Sequence, residues 1–195
     1  MKRVAALYVA AGGAYFDIPA IDPWPETRDA RRYRGPHPVV AHPPCARWCQ
    51  LAFVVQKRYG HRVGDDGGCF AAALKAVRRF GGVLEHPAFS YAWSRFELPR
   101  PQNGIWIAGA SGWVTQVSQR NYEHPARKLT WLYVSGYRSK PPPLDWSTPR
   151  AAAAQISFCR NHGDSGLKSL TKKAAIATPP AFRDVLIGLA RGSRA

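Results

Sequence analysis

Carboxylates are the scarcest charged groups in this chain: 12 Asp and Glu face 28 Lys and Arg, for a formal charge of +16. That balance leaves most cations without an internal counter-charge and favours a polyanionic partner, bound by phosphate neutralisation and counterion release. Nucleic acid is the expected partner. Cysteine is nearly as scarce. The four residues Cys45, Cys49, Cys69 and Cys159 are too few for a disulfide scaffold in a chain of 195 residues, which points to a reducing, cytoplasmic setting. Long apolar runs are missing too: none approaches the roughly 20 residues that span a bilayer, so no membrane association is expected. The opening MKRVAALYVAAGGAYF imitates a secretory signal, but its glycines suit a strand followed by a turn. Internal repeats and low-complexity tracts are also lacking.

What is present is core material. Hydrophobic residues make up 46% of the chain, with seven Trp, eight Tyr and eight Phe, enough for a single domain over residues 1–195. Residues 4–11 read as a buried strand stopped by Gly12 and Gly13, and the prolines at 19, 23 and 25 forbid regular helix after it. Val39–Ala41 with His42 read as a strand that Pro43 and Pro44 end. Helical spacing covers residues 46–59 and, more clearly, 69–80 through Phe70, Leu74, Val77 and Phe80. GVLEHP (82–87) and LTWLYV (129–134) read as strands, and 135–150 as a proline-rich loop. Pro179 and Pro180 open a last helix. Strand, helix, helix, strand is an α/β order.

VVAHPPCARW resembles the Pro-Pro-Cys nucleophile loop of DNA cytosine-5 methyltransferases, and GGVLEHP resembles their strand ending in Glu-Asn-Val. Cys45 lies 40 residues before Glu85, and Glu85 lies 42 before Arg127 in NYEHPARKLTWLYV, close to the intervals in compact family members, including phage-encoded forms. YVAAGG (8–13) resembles the family's glycine loop, AIDPW (20–24) its Glu-Ile-Asp segment, and IATPPAFRDVLIGLA its C-terminal Pro-Pro helix. The resemblance implies a reduced Rossmann-like methyltransferase fold: a largely parallel twisted sheet flanked by helices. Residues 135–172 would form a short recognition insertion. If the chain is phage-encoded, the compartment becomes the host cytoplasm.

The same resemblance assigns chemistry. Carbon 5 of cytosine is a poor nucleophile, so a thiolate adds to carbon 6 and makes carbon 5 electron-rich enough to attack a methyl donor. Cys45 would be that thiolate, activated by Arg47 or by a helix starting near Ala46. Glu85, protonated or sharing a proton with ring nitrogen 3, would hold the exocyclic amine, and Arg127 would bind the base carbonyl. Tyr8, Gly12, Gly13, Asp22, Pro179 and Pro180 would surround S-adenosylmethionine. Candidate phosphate contacts are Arg28, Arg31, Arg32, Arg34, Arg47, Lys57, Arg58 and Lys128. Trp48, Trp93, Trp106, Trp113 and Trp131 are candidates for stacking on an extruded base.

Departures from the pattern concentrate in the donor half. Ala10 replaces a glycine, Ala20 stands in place of the ribose-binding carboxylate, and only 32 residues separate Gly13 from Cys45. Base-handling motifs are kept better, although His86 stands in place of Asn and Ile176 likewise. A partner subunit that completes the cofactor site fits this pattern. So does a non-catalytic nucleic-acid-binding protein that retains the shell. Two further readings remain open: a folate-dependent pyrimidine nucleotide methylase, which uses a similar Pro-Pro-Cys loop, and a zinc site from His42, Cys45, Cys49, His61 and Cys69.

Overall fold

Strand β1 (Val4–Leu7) is buried at every position, as expected for a strand covered on both faces. The computed structural model describes residues 1–156 and 166–194. Chain order continues with β2 (Ile21–Trp24), β3 (Val39–Ala41), helices α1 (Ala52–Tyr59) and α2 (Cys69–Phe80), then β4 (Gly82–Pro87) and α3 (Tyr91–Arg95). It ends with β5 (Ile107–Gly109), β6 (Gly112–Ser118), β7 (Leu129–Ser135), α4 (Lys172–Ile176) and α5 (Pro180–Gly192). The strands form one seven-stranded sheet in the order β2-β1-β3-β4-β7-β6-β5.

The α/β expectation holds, but the sheet is mixed rather than largely parallel. β2, β1, β3 and β4 are mutually parallel, whereas β4 with β7, β7 with β6 and β6 with β5 are antiparallel. Connection length explains the two antiparallel pairs of consecutive strands. Gln119–Lys128 between β6 and β7 is shorter than a parallel crossover requires, and β5 and β6 are joined by a two-residue hairpin turn at Ala110-Ser111.

Alternation divides the interior into two cores. On one face, Ala5, Leu7, Val39, Ala41, Leu84, Trp131 and Tyr133 pack against Phe70, Ala73, Leu74 and Val77 of α2 and Ala92 and Trp93 of α3. On the other, Val4, Ala6, Val40, Val83, Leu132 and Val134 pack against Phe182, Leu186, Ile187 and Leu189 of α5. Each large side chain so buried stabilises the fold by about 1.5–3 kcal/mol relative to exposure. Pro180 occupies the first turn of α5, where its missing N–H costs nothing. Pro23 lies within β2, an edge strand, where a lost donor is tolerated. Gly82 opens β4 at φ +122°, and a Cβ there would lie 2.0 Å from the Val39 carbonyl oxygen.

The expected strand over 4–11 ends at Leu7, and the expected helix over 46–59 begins only at Ala52. Residues 135–150 form no helix or strand beyond the end of β7 at Ser135. They are pinned along the second core by Trp106 Nε1 donating to Pro142 O at 2.8 Å and Trp146 Nε1 to Thr115 Oγ1 at 3.1 Å. Part of the expected recognition insertion, residues 157–165, lies outside the described residues, as does Cys159. Among the described residues no helix is long and apolar enough to cross a membrane.

Candidate active site

Parallel register between β3 and β4 sets Val39 beside Gly82, Val40 beside Val83 and Ala41 beside Leu84. The next step brings His42 level with Glu85. Because successive side chains alternate, Glu85 follows Val83 onto the α5 face while His86 follows Leu84 onto the α2 face. Glu85 is 8% exposed, and a buried carboxylate persists only if it is compensated. His42 Nδ1 lies 2.9 Å from Glu85 Oε2, and His42 Nε2 lies 2.8 Å from the Tyr15 hydroxyl. Gln119 Nε2 donates to Glu85 Oε1 at 3.3 Å and to Thr130 Oγ1 at 2.9 Å. The result is a buried chain from Tyr15 through His42 and Glu85 to Gln119.

Burial pushes the Glu85 carboxyl up, but the His42 hydrogen bond and the charges of His42 and Lys128 outweigh it and hold the group below its ordinary value. Glu85 is therefore a carboxylate in this state, which leaves it able to share a proton with ring nitrogen 3 rather than bring one of its own. Burial, with the Glu85 charge behind it, raises Tyr15 well above an ordinary phenol.

Cys45 begins the turn that follows Pro43 and Pro44. Its carbonyl accepts from Trp48 N and Cys49 N, both at 2.9 Å. Trp48 anchors the turn: its indole Nε1 donates to Asp66 Oδ2 at 2.8 Å, and its carbonyl accepts from Tyr91 N at 2.9 Å. The same Asp66 accepts from the backbone of Gly68 and Phe70 at the start of α2. α1 starts only at Ala52, so its N-terminus does not lie at Ala46 beside Cys45 as expected. Burial, Cys49 and Glu85 push its thiol up to about 11, while Lys128 pulls it down. The activation expected from Arg47 and a helix start is not found. The resting group is a protonated thiol within the electrostatic reach of Glu85 and Lys128.

Arg127 is exposed, whereas its neighbour Lys128 turns inward. Lys128 Nζ donates to the carbonyls of Ile176 and Ala177 at 3.4 and 3.3 Å, and its charge bears on both Cys45 and Glu85. The cation at the site is thus Lys128, which the sequence suggested only as a phosphate contact.

The expected donor residues separate. Gly12 and Gly13 form a tight turn, with Gly13 N donating to Ala10 O at 3.0 Å, and α5 docks on it through Arg183 donating to Ala14 O at 3.1 Å. Pro179, buried, and Pro180, exposed, lead into that helix. Tyr8, held at φ +60°, packs instead with the α2-side core, and its buried hydroxyl has no hydrogen-bond partner among the described residues. Both Asp22 oxygens are taken, by Trp24 Nε1 at 2.8 Å and Arg28 at 2.6 Å. With Ala20 also lacking a carboxylate, these residues do not fit the ribose of S-adenosylmethionine.

Of the expected phosphate contacts, Arg28 and Arg31 are paired with Asp22 and Asp29. Arg32, Arg34, Lys57 and Arg58 are exposed with no carboxylate partner among the described residues. Arg47 is partly buried, and its carbonyl accepts from Gly64 N at 2.9 Å. Trp48, Trp93, Trp106 and Trp131 are core residues, at most 6% exposed, and Trp113 is partly buried. His42 has both ring nitrogens engaged, and among the described residues no cluster of His, Cys, Asp or Glu is arranged for a metal.

Tyr15 and Gln119 escaped the sequence reading, and His42 entered it only as a strand-end residue and a candidate zinc ligand. His42 had a usable signal, a histidine at a strand end three residues before the cysteine. Gln119 had none, because its role depends on the antiparallel return of β7. The chain matches no family model, no curated protein and no solved structure.

Proposed function

We propose that the protein modifies a pyrimidine in DNA through reversible addition of Cys45 to carbon 6 of the ring. The observation that carries this reading is the buried His42–Glu85 pair at the carboxyl edge of β3 and β4, where open α/β sheets bind ligands, with Cys45 three residues beyond His42 in the chain. The net charge of +16 supplies the affinity for a polyanion.

In this reading the Glu85–His42 pair serves the base. His42 keeps Glu85 ionised and fixes its orientation, leaving the carboxylate to accept from the exocyclic amine. Lys128 balances the negative charge that builds on the ring as sulfur attacks. The thiol proton must leave as the bond to carbon 6 forms, and the buried Tyr15–His42–Glu85 chain offers a route for it. The carbon 5–carbon 6 electron pair then takes a proton or a one-carbon electrophile at carbon 5. Loss of the original carbon 5 hydrogen and expulsion of the thiolate restore the aromatic base. The family's donor is S-adenosylmethionine, and since Asp22 does not fit it, methyl transfer would need a donor site completed by a partner subunit.

The addition is testable without any donor. DNA tritiated at carbon 5 of cytosine should release tritium to water in the presence of the protein, and Cys45→Ser should reduce the release at least about a thousandfold. Unchanged release by Cys45→Ser would overturn the mechanism. The raised Cys45 thiol favours a second reading, a non-catalytic DNA-binding shell, and salt-dependent DNA binding with no exchange by the wild type would select it.

A further inference from the structure

Two grooves lie on the α2 and α3 face, on either side of the segment Ser94–Leu98. The first, about 290 Å³, is walled by Phe89, Tyr91, Trp93, Trp131 and Arg100. Phe89 and Tyr91 are 41% and 36% exposed, while Trp93 and Trp131, at 2% and 5%, are fixed in the core beneath. Phe89 is held at φ +63° with its ring 5.4 Å from that of Trp131, so the fold presents this ring at a conformational cost. Across the rim, Phe53 of α1 meets Tyr91 edge-on at 4.7 Å, with the exposed Lys57 and Arg58 one turn further along α1.

The second groove, about 400 Å³, is lined by Lys75, Arg78 and Arg79 of α2 together with Phe96. None of these cations, nor Arg95 or Arg100, has a carboxylate partner among the described residues. Glu97 is the one acid in residues 86–122. The aromatic groove is tied by the backbone to the Cys45 turn. Phe89 lies four residues beyond Glu85, and Tyr91 N is bonded to the Trp48 carbonyl in the Cys45 turn.

We infer that these two grooves form one track for single-stranded DNA, with unpaired bases on the aromatic part beside Cys45 and the backbone running over the cations of α2. The inference rests on the DNA-modification function proposed for Cys45 and narrows its substrate to an unpaired strand. Exposed aromatic edges next to a cationic lane are the elements that hold single strands, because every unpaired base offers a face for stacking and the phosphates need cations. A duplex hides those faces. An apolar protein partner would leave Lys75, Arg78, Arg79, Arg95 and Arg100 without counter-charge.

The test is fluorescence anisotropy of a labelled oligothymidylate and of a labelled hairpin duplex with the full-length Cys45→Ser protein, in which binding is separated from any chemistry at the thiol. The oligothymidylate should bind more tightly than the duplex. Phe89→Leu with Tyr91→Leu should weaken it about tenfold or more, and Phe89→Tyr should retain it. Arg78→Gln with Arg79→Gln should reduce the slope of log affinity against log salt by about 1.4, about 0.7 for each phosphate no longer neutralised. A preference for duplex, or Leu and Gln variants that bind as the parent does, would overturn the track. Failure of tritium exchange with these results intact would instead fault the role of Cys45.

Discussion

Strands β1, β2 and β3 are four, four and three residues long and give way to open turns, whereas β6 and β7 run seven residues each and are paired from Trp113 with Val134 to Ser118 with Leu129. The parallel half carries His42, Cys45 and Glu85, and its glycine turn leads to Tyr15. The antiparallel half supplies Leu132, Tyr133 and Val134, each at most 1% exposed, and lends the site Gln119, Thr130 and Lys128. The candidate catalytic side chains stand at the ends of the short parallel ladders. The groups that orient them stand on the long, continuous ladder. β4 joins the halves, parallel to β3 and antiparallel to β7, and it alone gives a titratable side chain to each core, Glu85 to one and His86 to the other.

If this division is right, the parallel half should dominate reactivity. Cys45 is pushed up to about 11, and the thiolate is the form that alkylates, so its rate should rise about tenfold per pH unit from neutrality towards that value. Rates for Cys45, Cys49 and Cys69, read separately by peptide mass after iodoacetamide, check this. A Cys45 rate already level at neutral pH would mean that the turn activates its thiol after all.

Stability should follow the other half. Leu132, wholly buried in β7, should cost about 2–5 kcal/mol when changed to Ala, read as a shift in the urea midpoint at unchanged slope. Val40→Ala in the short β3 should cost less, as its side chain is smaller. The reverse ranking would break the comparison.

A smaller effect sharpens the role of β4. Burial pushes His86 down to about 4, so it is neutral in the folded protein, while the unfolded chain binds a proton below its ordinary value of 6.5. Stability should therefore fall as pH drops through that window, by on the order of 3 kcal/mol in all, at about 1.4 kcal/mol for each pH unit between the two values. Urea melts between pH 7 and 4 measure the loss, and His86→Leu should flatten it. A wild-type profile that stays level would place His86 in a wetter setting than its packing against Phe70 and Trp93 indicates.

Most of the parallel half was legible in the sequence because its signals are local. Pro43 and Pro44 end a strand, Phe70, Leu74 and Val77 mark a helical face, and Pro179 and Pro180 announce α5, but β2 was hidden because Pro23 within it reads as irregular chain. Of the antiparallel half only β7 showed itself, through its β-branched and aromatic run: β5 and β6 lie in a stretch where Gly109 and Gly112 interrupt the apolar pattern. Likewise Cys45 and Glu85 stood out as residue types, while the state of each depends on neighbours distant in sequence. Glu85 is ionised because of His42, and Cys45 is protonated because burial, with Cys49 and Glu85, pushes its thiol up.

Gly82 lies at the opposite end of β4 from the candidate site, yet it sets the zero from which β3 and β4 are counted. Its missing side chain lets Val39 come close enough to fix the first rung, and three rungs later His42 and Glu85 arrive abreast. Any side chain at position 82 would shift that count. Such a change would be felt as a mispaired histidine and carboxylate at the far edge, a defect of alignment produced without touching either residue.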